Sequence, residues 1–161
     1  MSVEEAVATL SGVPMFEGLP AEALRGLAIS GEDVALKAGE TLFRGGDAAD
    51  AAYVLLSGRL ELASEPAGRR RRVCELLPGA LLGETALLIA TTRPATARAL
   101  EASRLLRLPR AAFLRVLEGF PEAAATLRVQ LGARLAETLS ALETVRAEQL
   151  DRPAPPRARK R

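Results

Sequence analysis

Between Val34 and Leu108 the hydrophobic period changes from helical to two, and this switch limits the fold more than any other feature. Val34, Leu36, Leu42, Tyr53, Leu55, Leu60 and Leu62 alternate, or nearly so, with polar or small residues. Gly39-Glu40, Gly45-Gly46-Asp47 and Ser57-Gly58 cut these runs, and such residues favour turns: glycine accepts a left-handed backbone and aspartate bonds its own main chain. Pro78-Gly79 marks a further turn, and Thr96 to Leu108 holds two more strand-like stretches around Glu101-Ala102-Ser103. Strands this short and regularly spaced predict an antiparallel β-barrel of jelly-roll type.

On either side the period is helical. Val3, Val7 and Leu10 share a face, Pro14-Met15-Phe16 interrupts it, and Pro20 opens a second helix through Leu24 and Leu27. After Pro109 a helix runs through Phe113, Val116 and Leu117, and Gly119 with Pro121 ends it. A longer helix is predicted from about Pro121 to Leu150. Leu131, Leu135, Thr138, Leu142, Val145 and Gln149 follow spacings of four, three, four, three and four, a heptad-like seam. That stripe must be buried, on the barrel or against a second copy of the helix. The expected class is therefore α+β: an N-terminal helical entry (1–30), a β-barrel (31–109), C-terminal helices (110–151) and a basic tail (152–161).

The segment Leu82 to Ala97 carries the chemistry. Gly83 admits close backbone approach, and Glu84 to Leu88 is long enough for one helical turn whose first N–H groups have no internal acceptor. Arg93 follows the Thr91-Thr92 turn. A guanidinium inside a barrel needs an anion, either Glu84 or a bound group, and its planar fork suits the paired oxygens of a phosphate. Glu84 accepts hydrogen bonds only, which suits a hydroxyl such as that of a ribose. One ligand with a single phosphate and a free ribose hydroxyl would satisfy both charges.

Gly83-Glu84-x-Ala86-Leu87-Leu88, with Arg93 ten positions after the glycine and then Ala95-Thr96, resembles the phosphate-binding cassette of the cyclic nucleotide-binding domain family. The likeness extends from roughly Leu10 to Leu150, and Gly39-Glu40-Thr41-Leu42-Phe43, Gly45-x-Asp47, Asp50, Tyr53 and Gly58 resemble that family's early strands and turns. It implies a ligand site of Gly83, Glu84, Thr85, Ala86, Arg93, Pro94, Ala95 and Thr96. In it Gly83 and Glu84 face the ribose, the Ala86 N–H meets the phosphate, and Arg93 clamps it. Thr126 and Gln130 are the implied contacts to the base, and Leu87, Phe113 and Leu117 the relay by which an occupied cassette shifts the final helices. Two positions depart from the family pattern. Thr85 replaces a leucine or isoleucine. Pro94 removes an N–H that often reaches the phosphate and a hydroxyl that contacts guanine in relatives selective for cyclic GMP. The implied ligand is thus cAMP, with cGMP less favoured.

Composition narrows the rest. The 161 residues contain no histidine and one cysteine, Cys74, which excludes a histidine-based triad, a histidine metal site and an internal disulfide. The expectation is a non-enzyme with no cofactor and no metal. Cys74 lies in a predicted strand, Val73 to Leu77, as a small core residue. The net charge of +2 conceals a tail, Arg152 to Arg161, with five positive charges and no acid; Pro153, Pro155 and Pro156 keep it from continuing the helix. Arg69 to Arg72 form a second basic cluster at a hairpin tip. No apolar run is long enough to span a membrane and Glu4-Glu5 is unlike a signal peptide, so a cytoplasmic protein is expected. After the long helix there is no space for a helix-turn-helix. The resemblance therefore implies a stand-alone sensor, homodimeric through its C-terminal helix, acting on a separate effector protein. The alternatives are a dimerisation or scaffold domain whose Glu84 and Arg93 pair across an empty cassette, and a nucleic-acid-associated protein working through the basic tail.

Overall fold

In the computed structural model residues 2–64, 71–130 and 132–133 are described. Helix α1 (Val3–Ser11) begins where Ser2 and Glu5 cap each other: the Ser2 hydroxyl accepts the Glu5 N–H and the Glu5 carboxylate accepts the Ser2 N–H, both at 3.2 Å. Its Ala6 and Leu10 are buried, with Val3 and Val7 at the margin. A 3-10 turn at Pro14–Phe16 buries Met15 and Phe16, and α2 (Ala21–Ser30) starts directly after Pro20 and buries Leu24 and Leu27.

The strands are β1 (Glu32–Leu36), β2 (Thr41–Phe43), β3 (Ala48–Ala49), β4 (Ala51–Ser57), β5 (Leu60–Ser64), β6 (Arg71–Leu76), β7 (Leu81–Leu82), β8 (Thr91–Thr92), β9 (Thr96–Ala99) and β10 (Ser103–Pro109). They pair antiparallel as two four-stranded sheets, ordered β1-β10-β4-β7 and β2-β9-β5-β6, with a short ribbon of β3 and β8. The jelly roll thus takes the form of two facing sheets rather than a closed barrel. Leu36, Tyr53, Leu55, Leu82 and Leu105 of the first sheet meet Leu60, Ala97 and Ala99 of the second to form the inner core.

The first sheet is covered on both faces. Ala52, Val54 and Leu56 of β4, with Leu106 and Leu108 of β10, face away from the inner core and pack under the helices. Hence β4 reads as an uninterrupted apolar run, Ala51 to Leu56, instead of alternating. At its end Gly58 turns with φ +95°; a Cβ there would meet the Ala102 carbonyl oxygen at 2.6 Å, so only glycine fits.

Helix α3 (Arg110–Glu118) follows Pro109, buries Phe113 and Leu117, and ends at Gly119. The Phe113 ring lies 6.3 Å from that of Phe16, which joins α3 to the N-terminal helices. Residues 121–130 are helical, with Ala124 and Leu127 buried. The heptad seam from Leu131 to Gln149, the tail from Arg152 and the hairpin tip with Arg69-Arg70 lie outside the described residues. Two strand expectations are corrected. Arg71 and Arg72 open β6 instead of preceding it, and Leu77 lies beyond its end, 60% exposed. Cys74, opposite Leu62, is half-buried rather than in the core. No helix among the described residues is long and apolar enough to cross a membrane.

Leu10, fully buried under the first sheet, ties α1 to the roll. Leu10→Ala should lower the unfolding free energy by about 2–5 kcal/mol in a single transition with unchanged urea dependence, measured by circular dichroism. A separate early transition would show α1 to be an independent unit.

Candidate ligand-binding site

The β2–β3 loop builds one wall of the site. Asp47 closes it twice, accepting the Arg44 N–H on Oδ2 at 2.9 Å and donating its own N–H to the Arg44 carbonyl at 3.0 Å. The loop backbone then holds Arg93 on both sides: the Arg93 N–H donates to the Asp47 carbonyl and the Gly46 N–H to the Arg93 carbonyl, each at 2.8 Å. Arg93 is therefore fixed at its backbone before its side chain makes any contact.

The opposite wall is the turn after β7. Gly83 adopts φ +73° and ψ +37° and leads into a 3-10 turn, Glu84–Leu87. Two reasons require glycine there. The left-handed backbone penalises a Cβ, and a Cβ at this position would collide with Arg93 Nη1.

The Arg93 side chain enters the roll and is 5% exposed. Nη2 donates to the Ala51 carbonyl at 2.6 Å, while Nε and Nη1 find no hydrogen-bond partner among the described residues. The guanidinium carbon lies 4.4 Å from the Phe43 ring centre and 5.5 Å from that of Tyr53. Burial pulls the Arg93 pKa down from the usual arginine value, Arg107 adds to the lowering, and Tyr53, Asp50 and Asp47 oppose it. An arginine nonetheless stays protonated in a protein, so the result is a buried cation with unused donors. Asp50 is engaged elsewhere, accepting from Arg107 Nη2 at 3.1 Å.

The cassette also contacts α3. Leu87 is fully buried in one apolar cluster with Phe113 and Leu117, so the expected relay residues are brought together. Arg110, the first residue of α3, adds a polar tie: its N–H donates to the Asp50 carbonyl at 2.8 Å and its Nη1 to the Ala86 carbonyl at 3.2 Å. Sequence reasoning missed Arg110, Phe43 and Tyr53 as parts of the site. The arginine directly after Pro109 was the available signal for the first, and Tyr53, the chain's one tyrosine, for the last.

Gly83 abuts Arg93 Nη1, and Glu84, Thr85 and Ala86 follow it in the 3-10 turn, with Pro94 exposed and Ala95 packed against Gly45. Three sequence-based placements differ. The Ala86 N–H donates to the Gly83 carbonyl at 3.0 Å, because closing the tight turn uses it. Thr96 faces outward, since Ala97 and Ala99 take the inner positions of β9. Its hydroxyl accepts the Gly45 N–H at 3.0 Å, and it lines a cavity of ≈ 580 Å³ with Glu61 and Arg98 on the outer side of the sheet. Thr126 and Gln130 are both on the exposed side of their helix. Ala124 and Leu127 occupy the buried stripe of their helix, which leaves both polar residues exposed, and the Thr126 hydroxyl donates to its own helix at the Glu122 carbonyl, 3.1 Å away. Among the described residues no three His, Cys, Asp or Glu side chains cluster as metal ligands.

The structure thus joins a jelly roll, a buried arginine and a left-handed glycine turn beside it. Residues 33–120 match the family model described as Cyclic nucleotide-binding domain, and the chain belongs to that family. It is 34% identical over 142 residues to the Cyclic AMP receptor protein of Thermus thermophilus; the match covers 87% of this chain and 65% of that protein's length, just under two thirds. Among solved structures, the N-terminal domain of a transcriptional regulator from Streptomyces coelicolor matches with a TM-score of 0.74 and 33% identity, over 83% of this chain and 96% of that one. The regulatory domain of Toxoplasma gondii PKA, crystallised with cAMP, matches with a TM-score of 0.67 and 28% identity, over 71% and 44%.

Gly83→Ala should cost roughly 1–2 kcal/mol for the left-handed backbone alone. It should also displace the guanidinium from its rings. Urea unfolding reads the first effect; the second appears as altered fluorescence of Tyr53, observable because the chain has no tryptophan.

Proposed function

We propose that this cyclic nucleotide-binding regulatory domain takes cAMP beside Arg93 and passes the occupied state to a separate effector protein through its C-terminal helices. The observation that carries the reading is the Arg93 guanidinium: 5% exposed, with Nε and Nη1 unpaired among the described residues. A cyclic phosphate is a monoanion and would neutralise it, giving the two idle donors acceptors. Pro94, with neither N–H nor hydroxyl, favours adenine over guanine at this position. A homodimer through the C-terminal helix and a cytoplasmic setting complete the proposal.

Leu87 with Phe113 and Leu117, together with the Arg110 tie to the Ala86 carbonyl, supports the route of output. A nucleotide shifts an equilibrium only by its difference in affinity between two arrangements. A phosphate that drew the 3-10 turn inward would change both the apolar seat of Leu87 and the acceptor of Arg110. The helix that begins at Arg110 would then settle in a new position.

Isothermal titration with cAMP, cGMP and linear 5′-AMP tests the reading, with Tyr53 fluorescence as an internal reporter. The expected order of affinity is cAMP, then cGMP, then 5′-AMP. Arg93→Ala should keep the circular dichroism of the fold and lose at least about 1.5–3 kcal/mol of cAMP binding, the value of a charge-assisted hydrogen bond. If the wild-type chain binds no nucleotide at millimolar concentration, the scaffold reading replaces this one.

A further inference from the structure

The side chains over Arg93 are aromatic, and Asp47 and Asp50, whose charges act on it, each accept from another group. Asp47 Oδ2 accepts the Arg44 N–H at 2.9 Å, and Asp50 Oδ1 accepts from Arg107 at 3.1 Å. Phe43 and Tyr53, 4.4 Å and 5.5 Å from the guanidinium carbon, pack against each other with ring centres 5.9 Å apart. Phe43 comes from β2 and Tyr53 from β4, one from each sheet of the roll. We propose that Phe43 and Tyr53 form an aromatic seat that holds Arg93 ready for its anion, which makes them positioning residues of the binding site. The proposal rests on the cyclic-nucleotide reading above.

An aromatic ring attracts a cation through its negative face but takes up no proton donor in the guanidinium plane. Stacking therefore leaves Nε and Nη1 available, as they are here. A carboxylate in the same place would neutralise the charge and occupy those donors, and an incoming phosphate would have to displace it. A neutral seat fixes a long side chain's rotamer while leaving its positive charge unspent, so less ordering remains to be done when the ligand arrives. The Ala51 carbonyl holds Nη2 on a third side, and the bare Cα of Gly83 closes a fourth.

The test compares wild type, Phe43→Leu and Phe43→Tyr. Titration with cAMP should show Phe43→Leu weakened by roughly three- to thirtyfold, the range of a cation–π contact. Phe43→Tyr, which restores a ring, should bind within about twofold of wild type if the face is what matters. In ligand-free, 15N-labelled protein the Arg93 Nε–H signal, assigned by its loss in Arg93→Lys, should carry a ring-current shift that Phe43→Leu reduces. A purely structural role for Phe43 would lower the melting temperature and leave the folded protein's affinity unchanged, and that outcome overturns the proposal. An unshifted Arg93 signal in wild type overturns it as well. Should Phe43→Leu not fold, Tyr53→Leu carries the same comparison. A wild-type protein that binds no cyclic nucleotide but keeps the shifted signal overturns the functional reading while supporting the stacked seat.

Discussion

The buried positive charge of Arg93 is the constraint around which the roll is arranged. A lone cation between two sheets is unfavourable unless the surroundings compensate it, and here compensation is partial: one carbonyl, two ring faces and the charges of Asp50 and Asp47. The charge also explains features remote from it in sequence. Gly83 must lack a Cβ because the guanidinium occupies the space it would need. The loop 44–47 must be a closed turn because its carbonyl and N–H groups hold the Arg93 backbone.

Compensation stops short of neutrality because Asp47 and Asp50 serve a main-chain N–H and Arg107 instead. Arg107 binds Glu32 at 2.9 Å and Asp50 at 3.1 Å, which joins β10 to β1 and to the β3–β4 junction on the rim of the first sheet. Its charge is raised in stability overall, with Tyr53 and Glu32 outweighing the effect of burial. Asp50 is thereby fixed as a structural acceptor. The arrangement has two parts: exposed and half-exposed ion pairs hold strand to strand, and Arg93, the buried arginine among the described residues, stacks on rings instead.

Much of this was legible in the sequence, for identifiable reasons. Turn glycines such as Gly39, Gly46, Gly58 and Gly79 do adopt positive φ, so strand boundaries followed from them. Gly83 and Arg93 could be paired because their residue types state their chemistry. Phe43 and Tyr53 could not be assigned in the same way, since an aromatic residue in an alternating strand has the same signature whether it fills a core or faces a cation. The helix register also escaped. Thr126 and Gln130 were placed by family likeness, but a turn of the helix is decided by which small and apolar residues, here Ala124 and Leu127, pack best on α3 and the N-terminal helices. The outward direction of Thr96 is a matter of parity along β9, fixed by Ala97 and Ala99 and clear only once the inner core is known.

The division between rigid and yielding parts follows from how each is buried. The strands β4 and β10 pair over most of their length and are covered on both faces, so any opening there exposes two apolar layers at once. The cassette is held differently. Its flanking strands, β7 and β8, are two residues each, and the 3-10 turn between them contributes mainly Ala86 and Leu87 to the interior. Local stability scales with buried contact, so the cassette is the segment whose displacement disturbs the least of the remaining structure. Yet Leu87 and the Ala86 carbonyl are the points at which α3 is attached. The lightly paired segment of the roll therefore meets the base of α3, beside a sheet that is covered on both faces.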